Sequence, residues 1–426
     1  MKNNLIKIIT YIFGGFFSQF SFLIFWFFVK KRVSLNEIGK YQLWLFIIDL
    51  LVIISMLGID SGYAKLFYNS KNKALDILSL KLINSAAFIS VFLFGIIYLL
   101  NIITIPVVNI FGLFIILFSV FVQVNFNFLM NKLVVIGRSK DYVLFQISRS
   151  LLIVLISIIL VIFFEQSSIA LFLGQLIGLA LLLLFLERST KIEFNNTKSY
   201  IVDSKEILQY TLPLMLSGII GVITVYSSRL ILSTTVTIDQ VGALGVYMGF
   251  SSPIIAVIAV INKFYYPFSI KKLSNDEGMS KLYPYFLYIV LGYIFVFYLG
   301  VLVYYLFLRD IIFTDKLIDN SFVFLHIASS SIIIVLYTLY SPIFIFKNSN
   351  KLLIVNVISL IIGSLIQYFL LLHYGFKVVG IGKIFMDILI LIFSMLFFKN
   401  EHNFNRYDFM LLLIVLIAIV PILFLR

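Results

Sequence analysis

The chain has 426 residues, of which 62% are hydrophobic and only 12% charged, and its formal net charge is +13. A soluble protein of this length could not cover so much apolar surface with polar groups, so the composition excludes a soluble fold and predicts a polytopic membrane protein. The sequence has no cysteine, which excludes disulfides, thiolate metal sites and a cysteine nucleophile.

Apolar stretches of bilayer length, which is about 20 residues, follow one another along the first half of the chain. The first has basic residues at both ends and no small-residue cleavage site, so we expect a retained helix rather than a signal peptide. The short alternating segments of a β-barrel are absent, which makes the expected class all-α. We predict helices at 5–29, 41–59, 78–100, 107–131, 142–164 and 169–186.

The second half begins after a polar linker, 187–208, that contains no apolar run. Asp203 and Glu206 have the spacing of a helix N-cap and its third-position partner, which predicts a helix beginning just before Gln209. The expected domains are a six-helix bundle over 1–186, a cytoplasmic linker, a second six-helix bundle over 209–397, and an extra helix or tail over 398–426. The predicted helices are 209–235, 240–266, 284–308, 321–346, 352–373 and 375–397, with a short thirteenth at 409–425.

Basic residues are distributed unevenly between alternate loops. With the N-terminus in the cytoplasm, 20 of the 32 Lys and Arg fall on the cytoplasmic side and 8 on the other. The positive-inside rule therefore predicts this orientation. It also accounts for the positive net charge without a nucleic-acid partner.

The two halves share a sequence repeat. Residues 33–39, VSLNEIG, match residues 236–242, VTIDQVG, position by position at an offset of 203, and the same offset places Gly15 on Gly218. The matched segments hold equivalent places between predicted helices. This indicates two bundles related by a pseudo-twofold axis along the membrane normal, with a cavity between them.

Six charged residues within predicted helices are candidates for a functional site, because a charge at a helix centre costs about 2.5–3.5 kcal/mol on insertion scales and usually faces a cavity or a partner. The cations either line a cavity or, for Arg149 and Lys263, extend to the cytoplasmic face. The pair four residues apart on the twelfth helix either lines the cavity or is mutually neutralised. Asp49 either pairs with a cation or couples transport to an ion. The six are Asp49, Arg149, Arg229, Lys263, Lys383 and Asp387.

Neither a metal nor a cofactor is expected. His326, His373 and His402 are far apart and match no ligand spacing, and no Gly-rich phosphate loop is present. No catalytic acidic cluster or large external loop is visible, so we do not expect an enzyme. The two GxxxG pairs, Gly174 with Gly178 and Gly58 with Gly62, are typical of close helix packing.

Several segments together resemble a known family across nearly the whole chain. They are SLNEIGKY (34–41), LGIDSGYAKLFY (57–68), YTLPLMLSGI (210–219), SSRLIL (227–232) and DQVGALGVY (239–247). They resemble Wzx-type polysaccharide flippases of the multidrug/oligosaccharidyl-lipid/polysaccharide (MOP) exporter superfamily. That family usually has an acidic residue where this chain has Ser228, so the local ion pair with Arg229 is missing.

The resemblance implies a flippase of the bacterial inner membrane, in O-antigen, lipopolysaccharide or capsule biosynthesis, that moves polyprenyl-pyrophosphate-linked oligosaccharide units outward by alternating access. A polysaccharide polymerase is a further expected partner. Arg149, Arg229, Lys263 and Lys383 are then the candidate pyrophosphate ligands, because Arg and Lys offset the desolvation of phosphate. The alternative is an ion-coupled multidrug antiporter of the same superfamily, with Asp49 and Asp387 as coupling groups. The identity of the sugars cannot be derived from the sequence.

Overall fold

The protein is described from a computed structural model. The described residues are 2–60, 63, 73–100, 110–163, 167–190, 204–235, 237–274, 283–308, 320–399 and 406–424. Within these ranges the regular structure is entirely helical. We number the helices α1 Lys2–Arg32, α2 Leu35–Met56, α3 Lys73–Leu99, α4 Ile110–Val135, α5 Ser139–Phe163, α6 Ser168–Thr190, α7 Ser204–Thr235, α8 Ile238–Ser274, α9 Tyr283–Val303, α10 Ser321–Tyr374, α11 Val379–Phe397 and α12 Arg406–Leu423.

Ten helical stretches in the described ranges are long and apolar enough to cross a membrane. Their outward faces carry large apolar side chains in quantity; Phe88 is 63% exposed and Phe295 is 68% exposed. Such faces would be unstable in water and are stable against lipid. The chain is therefore a multi-pass, all-α membrane protein, which confirms the predicted class.

The chain divides into two compact units, Met1–Tyr226 and Ser227–Arg426. The division falls inside α7, whose first two-thirds packs within the first unit and whose last part packs within the second. Gly58 shows the first of these contacts, since its backbone lies against the Thr211 carbonyl and the Met215 amide. Gly58 has a φ of +71° and follows the end of α2, so it serves a turn as well as a close contact with a helix. Its GxxxG partner, Gly62, lies outside the described residues.

The sequence repeat corresponds to equivalent helix starts. Helix α2 begins at Leu35 and α8 at Ile238, again 203 residues apart. The Ser34 carbonyl accepts a hydrogen bond from the Ile38 amide at 3.0 Å, and the Thr237 carbonyl accepts the matching bond from Val241 at 3.3 Å. Ser34 and Thr237 both have a side-chain hydroxyl, and residues with a hydroxyl are favoured at the N-cap position of a helix. The repeat therefore fixes how the second helix of each half begins.

The longest helical segment, α10, spans 54 residues but is not a straight rod. Gly380 of α11 contacts His326, and Gly382, two residues on, contacts Gln367. In a straight helix these two partners would be about 60 Å apart. The other end of α11 has Phe398 ring-to-ring with Phe344 at 4.6 Å.

These contacts require α10 to reverse direction between Phe344 and Gly363. The first arm, Ser321–Phe344, runs parallel to α11, and the second arm, 351–374, runs antiparallel to it. The sequence predicts two helices here with a non-helical turn at 347–351. Two antiparallel arms are present, but the backbone stays helical through the predicted turn.

The short predicted helix at the end of the chain forms as α12 and packs into the second unit. Val415, Ile419 and Ile422 are buried. The Tyr298 hydroxyl donates to the Ala418 carbonyl, which fixes α12 against α9. Asp408 in the first turn is fully buried and accepts a hydrogen bond from Tyr340 of α10.

Close packing of α5 against α6 depends on glycine, as the GxxxG spacing predicts. A methyl group added to Gly174 would lie 2.5 Å from Ser157 Cα and 2.7 Å from its backbone nitrogen, and one added to Gly178 would lie 3.0 Å from the Ile153 nitrogen. These contacts are with backbone, which cannot move aside as a side chain can. The two helices must therefore separate to admit any side chain at Gly174.

We expect Gly174→Val to lower the free energy of unfolding by about 1–3 kcal/mol, the usual cost of overpacking. Thermal unfolding of the detergent-solubilised protein measures this. The matched control is Gly300→Val in α9, where an added methyl group meets nothing within 4 Å. An equal loss of stability in the two variants would show that the glycines matter for backbone reasons and not for helix contact.

Candidate substrate and coupling sites

Asp49 is the centre of a polar cluster inside the first unit. It lies about midway along α2, in a segment that is otherwise apolar. The Tyr226 hydroxyl of α7 donates to Asp49 Oδ2 at 2.6 Å, and the Gln123 amide of α4 donates to Oδ1 at 3.4 Å. Three helices therefore meet at one carboxylate, and both of its oxygens are engaged.

Arg149 of α5 lies within electrostatic range of Asp49. Its guanidinium carbon lies 5.3 Å from the centre of the Phe126 ring, within cation–π range. Its Nε is buried and has no hydrogen-bond partner in the described part of the chain.

The arrangement is suited to holding an anion. A guanidinium offers five donors in a planar fork, and here one donor is buried without an acceptor. A buried donor left unsatisfied costs about 1–3 kcal/mol, which an incoming oxygen would recover.

Lys383 and Asp387 form an ion pair within the second unit. The Lys383 Nζ donates to Asp387 Oδ1 at 2.6 Å, and the two side chains are 12% and 6% exposed. Mutual neutralisation is one of the two roles that their four-residue spacing predicts. Asp387 Oδ2 is buried, and the Ser330 side chain of α10 lies within hydrogen-bonding reach of this carboxylate.

Arg229 is also buried, at 9% exposure, in the part of α7 that belongs to the second unit. Its Nη2 lies 3.1 Å from the sulfur of Met248 on α8. The preceding residue, Ser228, accepts a hydrogen bond from Gln367 at 2.7 Å, so this position takes part in a neutral contact. Lys263 lies on α8, but its side chain is outside the described residues.

Of the six ionisable residues, the structure pairs Lys383 with Asp387, and it places Arg149 within electrostatic range of Asp49. Only the pairing of Lys383 with Asp387 could be inferred from sequence spacing, because the two residues share one helix face. Asp49 and Arg149 are 100 positions apart. In the described residues no cluster of His, Asp and Glu has the grouping needed for a metal ion.

Sequence reasoning missed a second buried charge pair. Lys132 Nζ lies 2.7 Å from Asp76 Oδ2, with side chains 8% and 10% exposed. The Tyr63 hydroxyl donates to the other oxygen, Oδ1. The predicted helix 107–131 leaves Lys132 in the cytoplasmic loop that follows it, but Lys132 lies in the last turn of α4. The sequence signal for this pair was Asp76, an acidic residue that directly precedes a long apolar run.

Comparison with known proteins places this fold. No family model matches the sequence, and no curated protein matches it. Solved structures do match. One is an inward-facing multidrug resistance MATE family transporter of the MOP superfamily, with a TM-score of 0.70, 14% identity, and coverage of 90% of this chain and 94% of that chain.

Two further solved structures match over nearly the whole chain at similarly low sequence identity. Lipid II flippase MurJ, in an inward closed conformation, has a TM-score of 0.68 at 16% identity, and 97% of each chain is covered. The MATE transporter VcmN of Vibrio cholerae has a TM-score of 0.56 at 13% identity, covering 96% of this chain and 99% of that one. At these identities the likeness establishes the fold. The chain has the fold of MOP-superfamily transporters, and both flippases and drug transporters share it.

Proposed function

We propose that this protein is a flippase for polyprenyl-pyrophosphate-linked oligosaccharide units, of the kind used for O-antigen or capsule. It moves them from the cytoplasmic to the outer face of a bacterial inner membrane by alternating access, with its own N-terminus in the cytoplasm. The observation that carries the proposal is Arg149. It is a cation inside the first unit with a buried donor unsatisfied and a ring at its face.

The chemistry of the substrate demands such a group. A pyrophosphate that leaves water for an apolar interior loses strong hydration, and only charged donors repay it. Arginine binds phosphate oxygens through two parallel hydrogen bonds, which makes it the preferred residue for this task. The fold shared with lipid II flippase MurJ supports a lipid-linked substrate.

The other three cations contribute unequally to the proposed binding of pyrophosphate. Arg229 is a second pyrophosphate ligand, contributed by the last part of α7. Lys383 is a weaker one, because Asp387 already offsets its charge. Lys263 completes the set. The translocated unit would then pass to a polysaccharide polymerase on the outer side.

The alternative is an ion-coupled antiporter of multiple drugs, with Asp49 and Asp387 as coupling groups. One observation favours it, namely the deep burial of the Asp387 carboxylate, whose side chain is 6% exposed. Against it, Asp49 is engaged through both oxygens by Tyr226 and Gln123, and a cationic guanidinium is its neighbour. A cationic drug would be repelled by that neighbour.

Reconstitution into liposomes separates the two functions. Purified protein should move a fluorescent polyprenyl-pyrophosphate oligosaccharide from one leaflet to the other, measured by loss of accessibility to a membrane-impermeant quencher. The same vesicles should not accumulate a cationic dye under an imposed proton or sodium gradient. Dye transport without lipid transport would overturn the flippase proposal and establish the antiporter.

A further inference from the structure

The first unit contains a cavity of about 600 Å³ that none of the roles above uses. Helix α4 forms its floor, and α3 and α6 form its walls. The first turns of α3 meet the last turns of α4 and α6 there, so the cavity lies near one membrane face. Its volume is in the range of ordinary ligand sites, about 300–1,000 Å³. The lining residues are Ile77, Leu80, Lys81, Asn84, Ser85, Asn125, Leu129 and Glu187.

Two opposite charges line this cavity without meeting each other. Lys81 on α3 and Glu187 on α6 are both exposed, and neither forms an ion pair in the described part of the chain. Asn84 and Asn125, also in the lining, satisfy each other through reciprocal side-chain hydrogen bonds of 2.8 and 3.2 Å. The two charges are therefore the groups that the lining offers to a ligand. A ligand that satisfies both walls must carry an anion and a cation.

Apolar stripes lead from the cavity toward the opposite membrane face. On α3 the face that begins with Lys81 and Ser85 continues with Phe88, Phe92 and Ile96, which are 63%, 58% and 40% exposed. The rings of Phe88 and Phe92 are stacked, with centroids 6.2 Å apart. Residues three and four apart share a helix face, so charge and apolar stripe form one continuous strip.

The neighbouring walls repeat the pattern. On α4 the face of Asn125 continues with Phe118 and Phe114, exposed by 58% and 68%. On α6 Glu187 is followed inward by Leu184 and Leu181, exposed by 60% and 41%. Three apolar strips therefore leave a single polar cavity in the same direction. This is the shape of a headgroup site with room for acyl chains beside it.

We propose that this cavity binds a zwitterionic glycerophospholipid with a primary ammonium headgroup, as in phosphatidylethanolamine. The phosphate contacts Lys81, the ammonium donates to Glu187, and an acyl chain lies along Phe88 and Phe92. An anionic lipid would place its phosphate near Lys81 but leave Glu187 without a cation. A quaternary ammonium headgroup would supply the charge but no hydrogen-bond donor.

Native mass spectrometry of the full-length protein tests this, with equal amounts of phosphatidylethanolamine, phosphatidylglycerol and phosphatidylcholine of matched acyl chains. The wild type should retain phosphatidylethanolamine preferentially. Glu187→Gln should reduce its preference over phosphatidylglycerol by about fivefold, the upper value for one exposed ion pair. Lys81→Gln should weaken binding of all three lipids.

The matched controls are Arg188→Gln, one residue from Glu187, and Lys140→Gln on α5. Both are exposed charges outside the cavity lining. Surface changes of this kind leave stability within about 0.5 kcal/mol, so all four variants should fold. Equal retention of the three lipids by the wild type would overturn the proposal. A loss of preference in the controls as large as in Glu187→Gln would do the same.

Discussion

Replacing Arg149 with Gln should reduce translocation of the pyrophosphate-linked oligosaccharide by more than about tenfold. A hydrogen bond to a charged group is worth about 1.5–3 kcal/mol, and 1.4 kcal/mol is a factor of ten. Gln removes the charge and the fork but keeps polar atoms beside Asp49. Arg149→Lys should give an intermediate rate, because it keeps the charge and loses the bidentate geometry.

The measurement is the initial rate of leaflet transfer in liposomes, normalised to the amount of folded protein incorporated. Arg138→Gln is the matched control. It removes an exposed arginine at the start of α5 that bonds Asp141 and the Ser189 carbonyl. Its transport rate should stay close to that of the wild type.

The same variant distinguishes the two functions. In a cation antiporter Asp49 would be the binding group, so Arg149→Gln would leave drug transport intact or raise it, and Asp49→Asn would abolish it. In a flippase the arginine is indispensable. An Arg149→Gln protein that still moves the oligosaccharide at the wild-type rate would remove this residue from the mechanism.

Helix positions were predictable because bilayer thickness and hydropathy constrain them together. A helix must satisfy its own backbone in lipid, so an apolar run of about 20 residues has one structural outcome. The repeat also predicted where two helices begin, since Val33–Gly39 and Val236–Gly242 place a hydroxyl residue directly before α2 and α8. Local signals of this kind are fully contained in neighbouring residues.

Contacts between helices were not predictable in the same way. The spacing of Lys383 and Asp387 suggested their pairing because one helix turn joins them, whereas Asp49 and Arg149 lie on different helices, so their proximity depends on the packing of the whole bundle. Similarly, the polar residues at 347–351 predicted a turn between two helices, and the chain does reverse direction between Phe344 and Gly363. They did not predict that the backbone would remain helical through it, because that depends on how both arms of α10 pack on α11.

The buried pair Asp76–Lys132 carries the largest expected effect on stability. Lys132→Met should lower the free energy of unfolding by about 3–5 kcal/mol, because it leaves a buried carboxylate without its counter-charge. Tyr63 still donates to Asp76 Oδ1, but a neutral donor compensates only part of a charge. Since domains are stable by only about 5–15 kcal/mol, the loss is a large fraction of the total.

The double variant Asp76→Asn with Lys132→Met separates lost charge pairing from lost packing. It removes both charges and keeps an oxygen for the Tyr63 hydroxyl, so it should be markedly more stable than Lys132→Met alone. Lys140→Met, which changes an exposed lysine, should unfold like the wild type. Thermal unfolding in one detergent compares all four proteins. If the double variant were no more stable than Lys132→Met, the ion pair would not be what holds α3 against α4, and the packing of the Lys132 side chain would be the cause instead.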